Sequence, residues 1–253
     1  MQSLSPRQQS ILNRIIESHI DTAQPVASRF ITELYHDLYR NSYSPATVRH
    51  EMGLLEQMGY LTHPHTSAGR LPTDLGYRYY VDHSLQWERL PNDFSQQVAR
   101  DLQDAEETDV FTERALSILS NFSKEVSVVV ILDSRNRPRL FLQGSTHLLE
   151  KPEFQDLKKI RDLFRVFEEK KSLAEWITQR PSQPDVAVTI GRENGQEALQ
   201  DCSLVSADFF ANGKKMGTLA LIGARRMKYA RTFPLVSHMS RILAGIIERM
   251  END

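Results

Sequence analysis

Arg49 and His50 stand side by side among small or hydroxylated neighbours, Ser44, Ala46, Thr47 and Gly53, and a second stretch gathers the donors His63, His65, Thr66, Ser67 and Arg70. Arginine pairs with guanine O6 and N7 in a DNA major groove, and hydroxyl, imidazole and guanidinium donors suit phosphates and the minor groove. The same residues would equally serve as a solvated helix face and a ligand-free surface hairpin. His63 and His65 have no cysteine nearby and no carboxylate at ligand spacing, so no metal site is expected there. Cys202 is the single cysteine and has no histidine within six residues, which fits a buried structural thiol. Gly213-Lys214-Lys215 falls on a turn between strands instead of opening a helix, so it is no phosphate loop. The nucleophile-elbow and phosphate-loop patterns are absent, and Glu106-Glu107 and Glu168-Glu169 read as solvated helix faces. An enzyme and a bound cofactor are therefore not expected.

The elements that must position these side chains follow from caps and periodicity. Ser5, Pro6 and Gln8 form a capping box before a helix whose stripe is Ile11, Leu12, Ile15, Ile16 and Ile20. A second helix starts near Ser28, with Phe30, Ile31, Leu34, Tyr35 and Leu38 expected to face inward. Ser44 caps a third helix, with Pro45 in its first position and an end near Gly59. At about 100° per residue, Val48, Met52 and Leu55 fall within about 60° of one another and form its core face. Ala46, His50, Gly53 and Gln57 lie opposite, with Thr47 and Arg49 on the flanks. Small side chains at 46 and 53 would let this face approach a surface closely, as a recognition helix must. Tyr60-Leu61-Thr62 and Arg70-Leu71 read as short strands around a wing-like loop, and Thr73 or Asp74 caps a fourth helix carrying Tyr77, Tyr80 and Val81.

Composition bounds the rest. The 253 residues carry 31 Lys and Arg against 33 Asp and Glu, a formal charge of −2, which argues against coating nucleic acid or membrane by bulk charge. Six of the 8 histidines lie in the first 83 residues, where every positive side chain is an arginine, so a basic face there must be local. A 40% hydrophobic content suits a soluble chain with a real core, and no apolar run approaches the ~20 residues of a membrane helix. A cytoplasmic protein is expected. Residues 87 to 92 read as a linker, and Phe94 to Ser123 as one long helix or two. Val126–Leu132 and Arg139–Gln143 form an expected hairpin, followed by helices over 154–170 and 172–179 and a strand at 186–190. Ser203 to Phe210 and Met216 to Ile222 pair across Asn212-Gly213, and a helix from about Tyr229 to Met250 closes an α+β half with a mainly antiparallel sheet.

Ser44-Pro45-Ala46-Thr47-Val48-Arg49, Gly59-Tyr60-Leu61, Pro64-His65-Thr66-Ser67-Ala68-Gly69-Arg70-Leu71-Pro72-Thr73-Asp74 and Gly76-Tyr77-Arg78-Tyr79-Tyr80-Val81-Asp82 together resemble the heat-inducible transcription repressor HrcA family. The resemblance continues through Phe141-Leu142-Gln143-Gly144, Leu148 to Phe154, Ile190-Gly191, Glu193-Asn194, Asp201 to Val205, Gly217-Thr218 and Arg226-Met227-Lys228-Tyr229. It implies a winged helix-turn-helix domain over residues 1–86, a linker and helical connector over 87–123, and a GAF-like regulatory and dimerisation domain over 124–253. It also implies a homodimer that represses chaperone operons from a CIRCE-type inverted repeat, with the chaperonin GroEL as partner. The alternative is a winged-helix regulator whose GAF-like domain senses a small molecule. Two departures stand out. His50 occupies a position where the family usually has Asn, and the family's dimerisation insert is largely missing. Phe94 to Phe122 and the last helix are substitute dimer surfaces, or else pack within the second domain.

Overall fold

The computed structural model describes residues 4–39, 43–65, 68–102, 107–133, 135–179 and 186–252, without the side chains of 37–39, 99 and 249–252. The chain forms two compact units, Met1–Gln86 and Trp87–Asp253.

In the first unit, helix α1 (Pro6–Thr22) starts as its capping box requires. Ser5 Oγ accepts the Gln8 N–H at 3.3 Å and Gln8 Oε1 accepts the Ser5 N–H at 3.0 Å. Its buried stripe is Ile11, Leu12, Ile15, Ile16 and Ile20. Helix α2 (Ser28–Tyr39) buries Ile31 and Tyr35, but Phe30 is 45% exposed, against the expectation from its period. The buried arc is narrow and centred on Ile31 and Tyr35; Phe30 lies about 100° from Ile31, beyond its edge. The expected inward position Leu38 lies outside the described side chains. Helix α3 (Pro45–Gln57) packs against α1 and α2. Strands β1 (Leu61–Thr62) and β2 (Leu71–Pro72) pair antiparallel, and helix α4 (Asp74–His83) follows with Thr73 Oγ1 accepting the Gly76 N–H. Arg70, expected in the second strand, instead bridges to Val26 just before α2.

The second unit is a five-stranded antiparallel sheet between two helical layers. Its strands are β3 (Val126–Leu132), β4 (Pro138–Gln143), β5 (Ala187–Ile190), β6 (Cys202–Ala211) and β7 (Lys214–Ala224), in the order β4-β3-β7-β6-β5. The β6-β7 turn holds Asn212 at φ 51° and Gly213 at φ 76°, the twisted two-residue form that Asn-Gly favours. A bulge between Phe209 and Phe210, silent in the sequence, shifts the register toward that turn.

Helices α5 (Asn92–Leu102) and α6 (Thr108–Ser123) divide the expected long helical region, and α9 (Tyr229–Asn252) closes the chain. Helix α6 packs on β3, β4 and α9, and α9 packs on β6 and β7, so both candidate dimer helices serve the core of this unit. Ser127 Oγ donates to Leu116 O of α6, and Ser203 Oγ pairs with the Tyr229 hydroxyl of α9. The other face of the sheet meets α7 (Leu157–Glu168) and α8 (Lys170–Thr178). Val126, Val128, Leu204 and Ile222 fill a core there with Leu163, Phe167, Leu173 and Ile177. Covered on both sides, β3 reads as a continuous apolar run.

At the start of β3, Glu125 is buried with Lys151 Nζ against its Oε2, while Arg226 Nε donates to Glu153 Oε1 at 2.5 Å. Burial pushes the Glu125 carboxyl up to about 7, against the pull of Lys151 and Arg226. Cys202 is buried near this cluster, and burial followed by the charge of Asp201 raises its thiol pKa far above the ordinary range. A thiol held neutral in this way is no nucleophile.

Candidate nucleic-acid interface

Ser44 is itself extended and turns its hydroxyl onto the next turn. Its Oγ accepts the Thr47 N–H at 3.1 Å and lies 2.9 Å from Thr47 Oγ1. That satisfies one of the orphan donors at the start of α3 and commits both hydroxyls to the cap. Val48, Met52 and Leu55 are buried as the period demands. A fourth inward residue, Glu51, was missed by the sequence reading. Gln8 Nε2 donates to its Oε2 at 3.2 Å, and Arg7 Nη1 lies 3.5 Å from its Oε1. The signal was available: Glu51 lies about 40° beyond Leu55, at the edge of the apolar arc, and an acid there needs a buried partner. With this contact and the apolar stripe, α3 is locked onto α1.

The opposite face is free. Ala46, Arg49, His50 and Gln57 are exposed, and Arg49 and His50 make no hydrogen bond or ion pair with any described residue. A methyl group at Gly53 would meet nothing within 4 Å, so that position leaves open space. Arg49 borders a cleft of about 270 Å³ with Met52 of α3, Ala27 and Ser28 at the start of α2, and Gly69 of the wing.

The wing is anchored more tightly than its composition suggested. Arg70 and Val26 exchange backbone hydrogen bonds of 2.9 and 2.8 Å. Gly69 passes so close that a Cβ would stand 2.5 Å from the Val26 carbonyl carbon. Arg70 and His63 do not project outward. Arg70 Nη2 lies 2.9 Å from Glu56 Oε2, and His63 Nδ1 meets Glu56 Oε1. His65 is exposed. Thr66 and Ser67 lie outside the described residues. The fold thus gathers Ala46, Arg49 and His50 on one open face, assigns Ser44 and Thr47 to the cap, and turns His63 and Arg70 toward α3. Among the described residues no three His, Cys, Asp or Glu side chains converge as metal ligands. No described helix is long and apolar enough to cross a membrane.

Known proteins resemble this chain in sequence and in fold. The profile of the HrcA protein C-terminal domain matches residues 82–233. The heat-inducible transcription repressor HrcA of Shouchella clausii is 31% identical, over 95% of this chain and 97% of its own. That of Pelotomaculum thermopropionicum is 27% identical over 98% of each chain. The latter alignment runs over 344 positions against the 253 residues of this chain, so the relative carries sequence with no counterpart here. A crystal structure titled only as a hypothetical protein superposes with a TM-score of 0.74 at 19% identity, covering 98% of this chain and 99% of its own, a likeness of fold.

Proposed function

The chain belongs to the HrcA family of heat-inducible transcription repressors, and from that premise we propose that it represses chaperone operons by binding a CIRCE-type inverted repeat as a homodimer. The observation that carries this reading is the open face of α3. A helix locked to α1 by Glu51 and an apolar stripe presents Arg49 and His50 beside the small residues Ala46 and Gly53. Arg49 is the base-reading group, placed for a guanine edge, and His50 stands beside it where the family usually has Asn. The wing supplies His65 for backbone contact. Residues 1–86 are the DNA-binding domain, residues 87–123 the connector, and residues 124–253 the regulatory and dimerisation domain. GroEL is the partner that the family resemblance implies, and the protein acts in the cytoplasm on nucleoid DNA.

The small-molecule alternative has less support. The core between the sheet and α7 and α8 is occupied by Val128, Leu163, Phe167 and Leu204.

The test is a mobility-shift titration of the purified protein against an inverted-repeat duplex and a scrambled duplex. Salt is held fixed, because phosphate contacts make affinity salt-dependent, and GroEL is added in a parallel series. Selective binding to the repeat, strengthened by GroEL, is expected; equal weak binding to both duplexes would sink the operator assignment.

A further inference from the structure

Glu56 lies one residue from the C-terminal end of α3, where the helix dipole disfavours a carboxylate, two turns beyond Arg49 and about 20° from it around the helix. An unpaired acid beside a phosphate backbone would weaken binding. Both of its oxygens, however, are taken by the wing. His63 Nδ1 meets Oε1, and Arg70 Nη2 lies 2.9 Å from Oε2. The three side chains are 24%, 37% and 22% exposed, so the contact is partly shielded from water, unlike a surface pair. Both terminal nitrogens of Arg70 are engaged, and its backbone is fixed. Its Nη1 donates to Ala68 O at 3.4 Å, its Nε is buried without a hydrogen-bond partner, and its backbone is bonded in both directions to Val26.

We infer that Glu56 is a positioning residue, a clamp by which α3 holds the wing base through Arg70 and His63 and so sets where His65 stands relative to the Arg49 face. The inference rests on the reading of α3 and the wing as the DNA-binding surface. It assigns Arg70 a role inside the domain, in place of a phosphate contact. Without the carboxylate the wing keeps its backbone attachments, the Val26 bridge and the β1–β2 pairing, and the Arg70 guanidinium loses its counter-charge. Charge alone predicts the opposite of the clamp: removing an acid near phosphates should tighten DNA binding, whereas releasing a positioned wing weakens it.

The experiment compares the wild type with Glu56→Gln, Arg70→Gln, Arg70→Lys and the Glu56→Gln/Arg70→Gln double variant in the full chain. Affinity for the inverted-repeat duplex is measured at several salt concentrations. Glu56→Gln is expected to weaken binding about tenfold, with the double variant no weaker than either single one, as coupled residues behave. Arg70→Lys, which keeps the charge, recovers most of the affinity. The salt slope stays unchanged in Arg70→Gln; a loss of about 0.9 would mean that Arg70 neutralises a phosphate, and the clamp would be wrong. Tighter or unchanged binding by Glu56→Gln would also overturn it. A second measurement needs no DNA. Hydrogen exchange at the Val26 and Arg70 N–H groups, each of which donates to the other residue's carbonyl, is expected to quicken about tenfold in Glu56→Gln while Leu55 in α3 is unaffected, reporting local opening at the wing base. Unchanged exchange rejects the clamp whatever the DNA result. Failure of Arg49→Ala to alter binding rejects the DNA surface instead, leaving the exchange comparison to decide the clamp.

Discussion

Arg49 and Arg70 carry the same charge on neighbouring elements, yet only Arg49 has its guanidinium in solvent, while the Arg70 side chain is 22% exposed and paired to Glu56. Their substitutions should therefore differ in kind. Arg49→Ala is expected to cost about 1–3 kcal/mol in binding to the inverted repeat and to narrow the preference over a scrambled duplex, with the thermal melt unchanged. A variant that binds and discriminates like the wild type would remove Arg49 from the base-reading role. Glu125 gives a residue-scale prediction in the other unit. Its carboxyl is raised from 4.5 to about 7, so the folded chain holds this proton more tightly than the unfolded one. The resulting stability is fully present below pH 4.5 and is lost as pH rises through 7, by up to about 3 kcal/mol. Denaturant melts from pH 5 to pH 8 should show this decline in the wild type and a flatter profile in Glu125→Gln. Parallel profiles would mean that Lys151 already stabilises the carboxylate.

At the scale of elements, the wing base depends on a backbone approach that only glycine allows. In Gly69→Ala the new methyl would meet the Val26 carbonyl carbon at 2.5 Å and the Pro25 carbonyl carbon at 2.8 Å, and neither can yield as a flexible side chain would. A loss of about 1–3 kcal/mol of stability is expected, read from the denaturant midpoint, with weaker operator binding alongside. A midpoint equal to that of the wild type would show that the Val26 bridge tolerates opening. The helices themselves were legible, because Ser5 with Gln8, Ser44 with Pro45, and Thr73 act on backbone groups within three residues. The Asn212-Gly213 turn was legible for the same reason. Phe30 was misread because a period names a stripe and not its width, which depends on what packs against α2. The Phe209/Phe210 bulge was unreadable because it is a property of two strands in register.

For the whole molecule, an inverted repeat read by identical units requires two chains related by a two-fold axis. Sedimentation of the protein with the inverted-repeat duplex at fixed salt is expected to show two chains per duplex; a stable complex of one chain per duplex would remove the dimer from the mechanism. Helices α6 and α9 bury their apolar faces within the second unit, so a dimer formed through them would have to use what they leave exposed. The sequence reveals the caps, the helical stripes, the Asn-Gly hairpin and the small outer face of α3, all written in residues a few positions apart. It also carried the family, whose motifs run through both halves. Packing sets the partners of the acids: Glu51 with Gln8, Glu56 with His63 and Arg70, and Glu125 with Lys151. Those partners lie 7 to 43 positions apart, and a charged side chain has no preferred distant partner until packing brings one within reach and excludes the water that would otherwise satisfy it.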